Sequence, residues 1–198
     1  MAQQESATNE NKRRKHNTSL DLAYIAIGAA LITICSWISI PMAVPFTLQT
    51  FAVFTVLLLL GGRRGIMSIL TYILMGAIGL PVFSGFAGGA GVLLGKTGGY
   101  ILGFLFTAII YLFSTSCFRT SPSHNKLRTT IEILALVLGL LVCYGFGTAW
   151  FMYIYMRDTG SVGLVTVLSW CVIPFILPDL LKMALAFIIA HRVRPIIK

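Results

Sequence analysis

The chain has 198 residues, of which 57% are hydrophobic and only 11% charged, with a mean hydropathy of +0.89. A soluble domain is about a quarter charged, and a compact fold of this length still exposes about a third of its surface, so a soluble globular protein is excluded. The formal net charge of +9 falls in short clusters between apolar runs, the pattern of membrane-protein loops and not of a nucleic-acid groove.

Residues 1–19 are polar and carry Lys12-Arg13-Arg14-Lys15. A secretory signal would begin its apolar stretch sooner and end it at a small-residue cleavage site. The expectation is a disordered, basic cytoplasmic tail over 1–19, followed by a single membrane domain over 20–198. Residues 22–62 form a charge-free run of 41. One span takes about 20 residues, so the run must be divided, and Pro41 and Pro45 divide it because prolines four apart break a helix interior. Span one then covers 20–39 and a short span two covers 48–61. Gly61-Gly-Arg63-Arg64-Gly65 predicts a tight basic turn, and span three, 65–80, stops at Gly79-Leu-Pro81.

Five glycines in the 14 residues from Val82 to Gly95 argue against a regular helix, while the absence of charge argues against a freely solvated loop. Such a segment survives near a membrane only where protein buries it or it lines a cavity. Span four, 97–117, carries Gly99 and Gly103 at a spacing that lets helices approach closely. After a polar loop over 119–128, span five covers 130–155, with Glu132 near its start. Span six, 163–190, contains Pro174 and Pro178, which predict a kink just before Asp179. The predicted fold is an all-α integral membrane protein, six transmembrane helices in a compact bundle.

Orientation follows from the cations. With both termini cytoplasmic, 12 of the 15 lysines and arginines lie inside, Lys96 and Arg157 lie outside, and Lys182 is intramembrane. The positive-inside rule selects this arrangement. It also puts the proline connection and the glycine segment together on the outer face.

Asp179 and Lys182 stand three residues apart between charge-free runs, so a helix carries both on one face inside an apolar slab. Ionisable groups at that depth cost free energy and mark a functional site, although a structural ion pair between helices would read the same way. The other groups that are polar or aromatic out of place are Thr47, Gln49, Lys96, Tyr100, Tyr144 and Trp150. Together they suit a small amphipathic ligand better than an ion pore, which would need a ring of charges. Gln49 fits a helix cross-link equally, and Trp150 an interface anchor. The four cysteines lie singly and the three histidines in charged flanks, so no metal site is implied. No nucleophile–base set appears at membrane depth, and no G-x-x-x-x-G-K-[ST] loop is present, so neither catalysis nor self-energised transport is expected. In span one, Ala26 and Ala30 lie one turn apart beside Gly28, a docking face for another helix or an internal packing surface.

Five pieces in order resemble the BioY family, the biotin-binding S components of energy-coupling factor (ECF) transporters. They are Val44-Pro-Phe-Thr47-Leu-Gln49-Thr50, Gly79-Leu-Pro81-Val-Phe83, Gly95-Lys96-Thr97-Gly98-Gly99-Tyr100, Cys143 to Phe151, and Pro174 to Lys182. The resemblance implies a six-helix bundle with an outward-facing site and gives Asp179 and Lys182 the contacts to biotin. The chemistry is consistent: biotin's ureido ring offers two N–H donors and one acceptor, and Phe83, Tyr144 and Trp150 are candidate apolar walls. Tyr100, Lys96 or the glycine segment would meet the ligand carboxylate. The resemblance also assigns Ala26 and Ala30 to a transmembrane coupling protein, which works with two cytoplasmic ATPases. Two positions depart from the family: Lys96 stands where proline is usual, and Pro178 where glycine usually precedes the aspartate. The alternatives are an S component for another small vitamin, a solitary biotin transporter, and a structural membrane protein that binds nothing.

Overall fold

The computed structural model describes residues 2–117 and 125–197. In chain order it holds α1 (Ala2–Trp37), β1 (Ser39–Ile40), β2 (Phe46–Thr47), α2 (Gln49–Ala77), a 3-10 turn (Ser84–Phe86), α3 (Ala90–Leu93), α4 (Gly98–Cys117), α5 (Asn125–Asp158), α6 (Leu164–Cys171) and α7 (Ile173–Ile197). Among the described residues, five helical segments are long and apolar enough to cross a membrane: Thr18–Trp37, Gln49–Ala77, Gly98–Cys117, Lys126–Asp158 and Leu164–Pro195. Large apolar side chains such as Phe113, Leu134, Val165 and Leu177 point outward from them, which only a lipid surround makes favourable. The chain is a multi-pass, all-α membrane bundle.

The second of these segments is not a straight rod. Gly61 has φ 79° and ψ 174°, outside helical space, and divides α2 into arms over 49–60 and 62–77. The Gln49 side chain donates to the Tyr72 hydroxyl at 2.8 Å, whereas residues 23 apart in a straight helix would be separated by about 34 Å. So α2 is a hairpin, and the left-handed φ at its tip is one that glycine adopts without strain. This hairpin is central to the bundle, packing against α1, α4 and α7.

The proline connection is a small β-hairpin, with Ser39 opposite Thr47 and Ile40 opposite Phe46. The glycine segment folds back over the end of α2, tied by Phe83 N–H to the Ala87 carbonyl and Gly89 N–H to the Gly76 carbonyl, at 2.9 and 2.7 Å. In this way an irregular backbone meets its hydrogen-bonding needs at the edge of the apolar region. The predicted close approach of helices is present: a methyl group at Gly99 would strike Trp150, and one at Gly103 would strike Cys143, so both glycines are contact points between α4 and α5.

α1 runs from Ala2 through the stretch expected as a disordered tail; residues 1–19 contain neither glycine nor proline. The loop expected over 119–128 lies largely outside the described residues, and α5 has begun by Asn125. The last span breaks at Val172 (φ −126°, ψ −56°) and not beside Asp179. Pro174 is the second residue of α7, where its missing N–H is not needed, so it starts a helix there. Pro178 is accommodated inside α7.

Candidate ligand-binding site

At the end of the bundle away from Gly61, the β-hairpin, the start of α2, the glycine segment, α4, α5 and α7 enclose a recess lined by apolar and aromatic side chains with several polar groups among them, the make-up usual for small-molecule sites. Asp179 and Lys182 lie on its wall, only 2% and 7% exposed. The α7 periodicity puts Phe175, Asp179 and Lys182 on one face, and all three line the recess.

Both charges are held by protein groups. Lys182 Nζ donates to Asp179 Oδ1 at 2.9 Å, to the Thr47 carbonyl at 2.7 Å and to Thr50 Oγ1 at 3.2 Å. An ammonium has three N–H donors, so none is left over. The Thr50 hydroxyl in turn donates to Asp179 Oδ1 at 2.8 Å, and the Tyr144 hydroxyl donates to Asp179 Oδ2 at 2.6 Å. The Phe46 ring centroid lies 4.2 Å from Lys182 Nζ, a cation–π contact that further offsets desolvation of the ammonium. A buried pair without such partners would be strongly unfavourable. A carboxylate oxygen can accept two hydrogen bonds, and Tyr144 supplies one to Oδ2.

The sequence-predicted residues divide into two sets. Thr47, Gln49, Phe83, Tyr100, Tyr144, Asp179 and Lys182 line the recess together. Gln49 is oriented by Tyr72, and Phe83 packs edge-on against that same ring at 5.5 Å. Tyr100 shares a hydrogen bond with Thr148 at 3.1 Å. Trp150 and Lys96 are not on the wall. Trp150 Nε1 donates to the Gly95 carbonyl at 3.0 Å, pinning the glycine segment to α5. Lys96 Nζ lies 4.7 Å from the Tyr155 ring centroid and 3.5 Å from Thr159 Oγ1, at the far end of α5. Among the wall residues the sequence reading did not single out, Thr50 matters most; its one signal is its place three residues after Thr47 and beside Gln49. Ala26 and Ala30 are exposed on the outside of α1, whereas Gly28 faces inward against Ser68.

A membrane bundle with a buried, hydrogen-bonded ion pair on the wall of a recess of mixed polar and apolar lining is the class of membrane protein built to bind a small solute. The chain belongs to the BioY family, whose family model matches residues 7–198. It is 38% identical to the biotin transporter BioY of Thermotoga maritima over 85% of this chain and 92% of that protein. It is 37% identical to the probable biotin transporter BioY of Pyrococcus horikoshii, over 88% and 96% of the two chains. A crystal structure of the S-component for biotin from an ECF-type ABC transporter superposes with a TM-score of 0.74 at 28% identity, covering 91% of this chain and 93% of that one.

Proposed function

We propose that the chain is the biotin-binding subunit of an ECF-type transporter, and that biotin occupies the recess around Asp179. The observation that carries this reading is the charge network: a carboxylate held by Lys182, Thr50 and Tyr144, with Oδ2 able to accept one more N–H. A ureido N–H of biotin fits that vacancy. Lys182, with its three donors already used, holds the carboxylate in position. Phe83, Phe104, Tyr144 and Phe175 supply walls for the sulfur ring and aliphatic tail, and the hydroxyls of Ser84 and Thr97 lie on the glycine-segment side for the ligand carboxylate.

The reading includes six crossings, formed by α1, the two arms of α2, α4, α5, and α6 with α7, with both termini cytoplasmic. The clustering of cations between apolar runs supports it. The exposed Ala26 and Ala30 dock a membrane coupling protein, and two cytoplasmic ATPases supply the energy.

Calorimetry on the detergent-purified protein tests the site. Wild type binds biotin, and Asp179→Asn and Lys182→Ala each lose about 10- to 100-fold in affinity, the worth of a charge-assisted hydrogen bond. Wild-type affinity in both variants, with each eluting as a folded, monodisperse species, overturns the assignment.

A further inference from the structure

A second recess lies at the opposite end of the bundle, beside the Gly61 turn, between the beginning of α5 and the end of α7. Its apolar side is formed by Leu58, Phe187, Ala190 and Pro195, and its polar rim by Arg128, Thr129, His191 and Arg194. Two of these cations meet one buried acid. Arg194 gives NH1 and NH2 to the two oxygens of Glu132 at 2.9 and 3.0 Å, and its Nε to the Leu58 carbonyl at 2.8 Å. That guanidinium is immobilised and its charge matched. Arg128 reaches the same carboxylate through Nε at 3.2 Å, while its side chain is 55% exposed. One carboxylate therefore faces two guanidiniums, leaving the recess with an excess positive charge, to which the nearby Lys126 and Arg192 add.

We propose that this recess binds the phosphate of an anionic phospholipid. Arg128 is the principal contact, with Thr129 and His191 as further donors, and the glycerol and first acyl carbons lie on Leu58, Phe187 and Pro195. Basic pockets between membrane helices near the bilayer surface suit this chemistry, and a planar guanidinium pairs well with phosphate. The apolar side favours a lipid over a free anion, since a free anion gains nothing from aliphatic walls. The neighbouring outward faces of α5 and α7 carry Leu134, Leu138 and Ile188, so an acyl chain leaving the recess continues along an apolar surface. Glu132 sets the site by fixing Arg194 and orienting Arg128 from its Nε side.

The test is thermal unfolding of the full-length, delipidated protein in neutral detergent with added phosphatidylglycerol, phosphatidylcholine or inorganic phosphate, on wild type and Arg128→Gln. Phosphatidylglycerol is expected to raise the wild-type midpoint by roughly 5 °C, as saturating a native-state site does. Phosphatidylcholine and inorganic phosphate should each give much less, and Arg128→Gln should lose most of the phosphatidylglycerol shift. Arg194 still holds Glu132 in that variant, so its midpoint without added lipid, checked with monodispersity on size exclusion, reports intact folding. Should the variant misfold, Arg128→Lys keeps the charge without the planar fork and should retain only part of the shift. An equal shift with phosphatidylcholine, the same shift from inorganic phosphate alone, or a full phosphatidylglycerol shift in both Arg128 variants overturns the proposal.

Discussion

Thr50 bridges the two charges of the site, accepting from Lys182 and donating to Asp179. Replacing it with valine keeps the shape and removes both bonds. Each net hydrogen bond to a charged group is worth about 1.5–3 kcal/mol, so Thr50→Val should lower biotin affinity by at least about tenfold, as read by calorimetry. Lys96→Ala should leave that affinity unchanged, because the ammonium lies over Tyr155 and beside Thr159, outside the recess. A large loss in Lys96→Ala would mean that the glycine segment rearranges over the ligand. The difference between these residues also explains what the sequence could disclose. Asp179 and Lys182 stand out because charges are rare in apolar runs. A threonine does not, and its role appears only when α7 brings Asp179 to it from 129 positions away. Lys96 and Trp150 lie off the recess wall, each drawn to a partner on another element, and no local pattern shows which partner a long side chain finds.

At the scale of elements, turns marked by glycine or paired proline were readable, because φ preference and the missing proline N–H act locally. The basic turn at Gly61 and the break at Pro41 and Pro45 are both present. The α6–α7 break was misplaced because proline at a helix start and proline at a kink look alike in sequence, and only the Val172 dihedrals distinguish them. Substitution tests the local argument: Gly61→Ala places a Cβ at φ 79° and should destabilise the protein by about 1–2 kcal/mol, seen as a lower thermal midpoint in detergent. Gly103→Leu should be worse, because its side chain meets Cys143 across the α4–α5 contact. That variant should unfold or lose ligand binding together with its packing, since Tyr100 and Tyr144, one on each of those helices, both line the recess.

For the whole molecule, the proposed binding and coupling surfaces lie apart. The recess sits inside one end of the bundle, whereas Ala26 and Ala30 lie on the outside of α1. Ala26→Trp should therefore retain wild-type biotin affinity in detergent while abolishing uptake in cells that supply the coupling protein and ATPases. Persistent uptake would place the docking surface elsewhere. The arms of α2 have a further consequence. At 12 and 16 residues they extend about 18 and 24 Å, short of a hydrocarbon layer of about 30 Å. Each arm, measured from Gly61, is shorter than a helix that crosses such a layer. The β-hairpin and the folded glycine segment stand in for the missing turns, and they border the recess. An unbroken pair of full-length helices would have filled that volume with backbone: the recess is there because the central hairpin is short.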